Sequence, residues 1–199
     1  DSGSDDGTLK IAKQEGCIVK KIKKSDFTFG KSLNIGCETA KNEILIICSA
    51  HILPIEKNWA EKLVEPLKLE KVAMTYGSQR GVESSYFSEK QIFLEYFPEN
   101  ESNKIKDFAN NANSAIKKSI WKKIKFDEKL TGLEDIYYAK TLIKKNYFVK
   151  YVKEAGIYHI HNETPMQIKW RFEREAIALK KIYNNLNPRY RNILSFFLS

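Results

Sequence analysis

The run Glu43-Ile-Leu-Ile-Ile-Cys48 restricts the fold more than any other stretch of this chain. Its unbroken apolar core, Ile44 to Ile47, leaves no polar face, as expected of a strand covered on both sides. Periodic segments alternate around it. Leu9, Ile11 and Ala12 follow the turn-forming run Asp1 to Thr8 with helical spacing and stop at Gly16. Ile18 to Ile22 reads as a short strand, Leu33 to Ala40 and Asn58 to Leu67 as helices, and Val72 to Tyr76 as a strand. Ala112 to Lys117 reads as a strand, Ser119 to Lys123 as a helical turn, and Glu134 to Lys145 as a helix ended by Asn146. Two more strands are expected near Tyr147 to Val152 and Ile157 to His161. Such alternation predicts an α/β fold with a mostly parallel sheet flanked by helices.

The expected organisation is one domain over 1–163 and a helical extension over 164–199 packed on it. Ile168, Phe172, Ala176, Leu179, Tyr183 and Leu186 form one apolar stripe on that extension, and a short segment, Tyr190 to Leu198, follows Pro188. The segment Gly77 to Asp107 has no clean period and mixes aromatics with charges, so it reads as an irregular, partner-facing insert with helical pieces.

A formal charge of +9 is spread along the chain among nearby acids, which speaks for a solvated lysine surface and against a nucleic-acid footprint. Phosphate-bearing ligands and anionic lipid remain compatible with it. Three cysteines without paired spacing suggest neither a disulfide framework nor a thiolate zinc site, so a reducing, cytoplasmic setting fits. No apolar run reaches the roughly 18 residues of a spanning helix. Trp170, Arg171, Phe172 and Arg174 offer an aromatic and basic face for peripheral contact at the inner side of a membrane, although the spacing favours core packing for Phe172.

In open α/β sheets ligands bind beyond the carboxyl ends of strands, and two polar clusters stand there: Asp1-Ser2-Gly3-Ser4 and Ser49-Ala50-His51. The sequence around them, DSGSDDGT, then FGKSLNIGCETAKNEILIICSAHILP, NANSAIKKSIWKKIKFDEKLTGLED and GIYHIHN, resembles family-2 glycosyltransferases of the GT-A fold in the family's order. It looks like the rhamnosyltransferase-like subgroup with Ser-Ala-His in place of Asp-x-Asp. The resemblance implies a Rossmann-like nucleotide-diphospho-sugar transferase fold and sugar transfer with inversion to a saccharide or lipid-linked acceptor.

By that resemblance Asp1, Ser2 and Gly3 contact the donor nucleotide, together with Ser49, His51 and Asn113, and Asn110 lines the same cleft. Taken without it, Asp1 would be an ordinary Asx turn and Asn113 a loop-to-strand cap. The resemblance makes Asp135 the general base and Glu134 its assistant, whereas the residues alone would allow a helix-capping role. Ser-Ala-His departs from the family's cation motif. His159 and His161, two apart in an expected strand, point to one face; the resemblance, whose members bring a C-terminal histidine to the metal or diphosphate, joins them with His51 as a candidate metal set suited to Mn2+ before Mg2+, whereas the residues alone would equally allow structural histidines. The family's first strand and helix have no counterpart here, so the sequence reads as part of a longer protein or as a truncated product, its first strand missing. The competing reading is a non-catalytic saccharide- or nucleotide-binding module of the same fold.

Overall fold

The computed structural model describes residues 1–100 and 107–183. Five strands make one sheet: β1 (Ile44–Cys48), β2 (Ile52–Pro54), β3 (Val72–Arg80), β4 (Asn113–Lys117) and β5 (Phe148–His159), in the order β1-β4-β3-β5-β2. Helices flank it, as the sequence predicts. The expectation of a mostly parallel sheet needs correction. Only β3 and β5 run parallel; β4 enters between β1 and β3 against both, and β2 runs against β5. The physical reason is that an apolar run reports cover on both faces and is silent about strand direction. β3 is buried from Val72 to Gln79, yet it pairs antiparallel on one side and parallel on the other. β1 itself is an edge of the described sheet, and Ile46 is 40% exposed.

Ile18 to Ile22, expected as a strand, forms no ladder; Asp1 N donates to Lys20 O and Ile22 N to Asp1 O. The two strands expected around 147–161 are one strand with an irregularity, where Gly77 and Gln79 of β3 face Val152 and Ile157. The intervening residues bulge out of the ladder, and side chains take over their carbonyls. Ser78 Oγ donates to Lys153 O at 2.7 Å and Asn113 Nδ2 to Ala155 O at 2.7 Å. Gly77 permits this close approach, since a Cβ there would lie 2.1 Å from Ala155 O.

The helices are α1 (Thr8–Gln14), α2 (Phe29–Thr39), α3 (Trp59–Val64), α4 (Phe87–Tyr96), α5 (Lys118–Lys123), α6 (Glu134–Lys144) and α7 (Pro165–Ile182). Gly16 and Asn146 take φ of 71° and 63°, consistent with the helix stops read from sequence. α3 is shorter than expected and passes into a 3₁₀ turn, Glu65–Lys68, that contains Pro66. The segment read as irregular contains α4 and the last turn of β3. α7 opens with a capping box in which Thr164 accepts from Gln167 N and the Gln167 side chain from Thr164 N. Its predicted stripe is half-buried from Ile168 to Tyr183, with Ala178 and Ile182 fully buried; Leu186 and residues 190–198 lie outside the described residues.

Both sheet faces are covered, and β4 shows the alternation: Ile116 joins the larger core with Met74, Trp121, Tyr138 and Leu142, and Ala115 the smaller one with Leu63, Leu67 and Val72. Asn34 ties α2 to the larger core, accepting from Trp121 Nε1 and Phe126 N and donating to Phe126 O and Glu128. No helix among the described residues is long and apolar enough to cross a membrane.

Candidate active site

An open cleft of about 1080 Å³ lies along α2, β1 and the start of α6. Three imidazoles stand on its wall. His51 follows β1, His159 ends β5 and His161 follows it; pairing of β2 with β5, closed by Ile160 N donating to His51 O at 3.0 Å, brings them together. The rings of His51 and His159 stack at 4.8 Å between centroids, and one ligating atom from each of the three lies within 4.8 Å of the others.

Hydrogen bonds fix which nitrogen each ring presents. Asn110 Oδ1 accepts from Ala112 N and from Gln79 Nε2, both at 2.9 Å. Gln79 is 1% exposed, so its remaining oxygen must accept, and His159 Nδ1 donates to it at 2.7 Å. His159 therefore presents Nε2, which is buried and has no hydrogen-bond partner among the described residues. His161 Nδ1 is bonded in the same way by the Glu89 carboxylate. Burial holds the His159 pKa down to about 3, aided by His161 and His51, and burial likewise lowers that of His51. These two rings are neutral near pH 7, the form that can act as a ligand.

Glu134 and Asp135 open α6 on the same cleft, 6% and 8% exposed. Leu133 before them adopts φ 56°, a left-handed turn that brings two consecutive acids inward at the start of the helix. Asp135 accepts from Asn111 N at 3.0 Å and Ile136 N at 2.8 Å, and Asn111 Nδ2 donates to Glu134 at 3.4 Å. Burial, then the neighbouring Asp135, pushes the Glu134 pKa up to about 8. Burial also raises that of Asp135, against its main-chain donors. Near neutral pH the pair thus holds a proton. Arg171, paired with Glu163, and Arg174, whose buried Nε has no hydrogen-bond partner among the described residues, bring positive charge from α7.

Of the residues expected at a site, Ser49, His51, Asn110, Glu134, Asp135, His159 and His161 line this cleft. Asp1, Ser2 and Gly3 do not. Asp1 borders a separate groove beside Ile18 to Ile22, and its carboxylate accepts from Gly3 N and Ser4 N as an Asx turn. The reading of Asn113 as a donor contact is corrected: it is fully buried, accepting from Trp59 Nε1 and donating to Ser78 O and Ala155 O. Its amide is committed to the bulge of β5 and cannot reach a ligand. Gln79, Glu89 and Asn111 were not expected: the first two fall in the segment read as irregular, and Asn111 opens the NANSAI motif without having been singled out.

A sheet between helices, with a polar cleft that holds paired acids and clustered imidazoles, is an α/β architecture of the kind the family resemblance implied. The chain belongs to glycosyl transferase family 2, whose model matches residues 1–150. Among solved structures it is similar to the mannosyltransferase PcManGT from Pyrobaculum calidifontis, in complex with GDP-Man and Mn2+: 16% identical, TM-score 0.66, over 98% of this chain and 57% of that one. It is also similar to S. aureus TarS 1–349 in complex with UDP-GlcNAc, at 16% identity and TM-score 0.61 over 100% of this chain and 61% of that one. A third is glucosyl-3-phosphoglycerate synthase from Mycobacterium tuberculosis with Mn2+, UDP-Glc and phosphoglyceric acid, at 14% identity and TM-score 0.63, covering 94% and 68%. The chain thus spans less than two thirds of the first two. No curated protein matches it. At these identities the likeness shows the fold.

The residues present fit a divalent cation, because a buried imidazole nitrogen without a partner faces two further imidazoles with its tautomer already fixed.

Proposed function

We propose that this chain moves a sugar from a nucleotide-diphosphate donor to a hydroxyl of a saccharide or lipid-linked acceptor, with inversion at the anomeric carbon. The observation that carries this reading is the opening of the buried Glu134–Asp135 pair and the imidazole cluster onto one cleft. Asp135 takes the acceptor proton as the hydroxyl oxygen attacks the anomeric carbon; the bond to the diphosphate breaks, and that group leaves with the electron pair. A raised pKa suits Asp135 to the role, since a base poised nearer the working pH is stronger. Glu134, protonated near neutral pH, keeps a second negative charge away from the incoming hydroxyl. Charge developing on the diphosphate is the main electrostatic demand, and Arg171 and Arg174 answer part of it from α7. A divalent cation bound by His51, His159 and His161, manganese before magnesium, would supply the rest as a Lewis acid. Ser49 and the Asp1-Ser2-Gly3 turn are proposed contacts of the donor nucleotide. The setting we propose is polysaccharide assembly in the cytoplasm, with Trp170, which is 59% exposed, available for peripheral contact at the inner membrane face.

The test compares Asp135→Asn with wild type in nucleotide release and nucleotide affinity. Turnover should fall by roughly 10²- to 10⁴-fold while affinity is retained. Unchanged turnover would remove Asp135 from the chemistry. Nucleotide binding by the wild-type chain with no turnover on any acceptor would instead support the non-catalytic binding module.

A further inference from the structure

The histidine cluster contains an observation that the transferase reading does not use: every ligating atom in it is a nitrogen. Among the described residues no carboxylate or thiol sulfur belongs to the set. The nearby acids are engaged elsewhere. Glu89 sits behind His161 on Nδ1, Glu163 holds Arg171, and Asp135 takes the main-chain donors of Asn111 and Ile136. We infer that the cluster selects a nitrogen-preferring divalent ion of the later first transition row, zinc or cobalt, over manganese and magnesium. This rests on the cluster being the cation site of the proposed transferase.

Three arguments lead there. Magnesium seeks oxygen donors in an octahedral shell and keeps much of its water, so three imidazoles offer it little. Manganese stands lowest in the divalent affinity series, and imidazole sites favour the later ions, with zinc well above it. Next, the outer partners are those of a deliberate nitrogen site. Gln79 and Glu89 hold Nδ1 of His159 and His161, which commits Nε2 of each ring to a ligand, and the carboxylate behind His161 makes its ring a stronger donor. Gln79 is itself oriented by Asn110 and the main chain of Ala112, so the His159 tautomer is imposed from the backbone outward. Finally, three protein ligands would leave a position open, as in catalytic zinc sites, and all three histidines line the cleft proposed for the donor. His51 is exposed, and its ring centroid lies 5.2 Å from that of His161.

The experiment uses the full chain with Cys17 and Cys48 changed to Ser, because these exposed thiols would otherwise compete for zinc. After chelator treatment, zinc and cobalt affinities are measured by competition with a chromophoric chelator, cobalt coordination by its visible absorption, and manganese by electron paramagnetic resonance. Zinc and cobalt should bind about 100-fold or more tightly than manganese. His159→Ala and the rim variant His51→Ala should abolish the cobalt spectrum, and Gln79→Leu should weaken zinc by roughly 10- to 100-fold. Thermal melts of each variant separate loss of the site from loss of the fold. Manganese binding as tightly as zinc, with both lost on His51→Ala, would overturn the ion preference and leave the cation site standing. Absence of binding by every ion, or binding indifferent to both histidine changes, would overturn the site as well.

Discussion

Glu134→Gln should make the protein more stable as the pH rises, and the size of the gain follows from burial. Glu134 has its pKa raised from an ordinary 4.5 to about 8 by burial and by Asp135 beside it. A folded acid with a raised pKa binds its proton more tightly than the unfolded chain does. Its contribution to stability is therefore complete below pH 4.5, is lost progressively as the pH climbs, and is gone above pH 8. Each pH unit in that window costs about 1.4 kcal/mol, for a total of roughly 4 to 5 kcal/mol. Glutamine keeps the shape and the oxygen that accepts from Asn111, but has no proton to lose. Glu175, raised by burial, and His159, lowered by burial and acting in acid, cancel in the difference, whereas Asp135, which shares a buried site with Glu134, ionises at less cost beside a neutral glutamine and adds to the gain with the same sign. Urea unfolding of both proteins from pH 5 to pH 8.5 should show curves that meet near pH 5 and diverge by about 3 to 5 kcal/mol at pH 8. In melting temperature that is on the order of 10 °C for a chain of this size. Parallel curves across the window would refute the reasoning, for they would mean that Glu134 ionises in the fold at no cost.

Asn113→Ala should destabilise by about 3 to 5 kcal/mol in urea unfolding, because it strands the bulge carbonyls Ser78 O and Ala155 O and the Trp59 indole. Nucleotide affinity of the folded fraction should be unchanged, and a selective loss of affinity would return Asn113 to the cleft. Gly77→Ala should cost about 3 kcal/mol or more, since its Cβ would meet Ala155 O at 2.1 Å and Asn113 Nδ2 at 2.3 Å; a change under about 1 kcal/mol would show that the bulge yields.

The helices and the histidine pair were legible because their signals are local. The two histidines alternate along one strand, so spacing alone put them on one face, whereas Glu134-Asp135 was read from spacing only as the start of a helix and owed its role to the family resemblance. Strand direction was not legible, because β4 differs from a parallel strand in where its connections run and hardly in its residues. Asn113 was misread for a related reason: in Asn110-Asn111-Ala112-Asn113 the side chains are alike, and only the bulge of β5 decides which amide turns into the core. Gln79 and Glu89 lay beyond reach, since each meets its histidine across more than 70 residues of chain.

The tripeptide Asn110 to Ala112 touches every part of the cleft at once. Asn110 orients Gln79 behind His159, Asn111 N–H donates to Asp135, and Ala112 O accepts from Ser49 N. Three main-chain units are therefore a spectroscopic window on the site. A proton arriving on Asp135 changes the field at the Asn111 amide, and a ligand pulling on His159 reaches the Asn110 side chain through one glutamine. In a nitrogen-15 spectrum these adjacent residues would report the two halves of the cleft separately, so that occupancy of one half and protonation of the other could be followed in a single titration without any label on substrate.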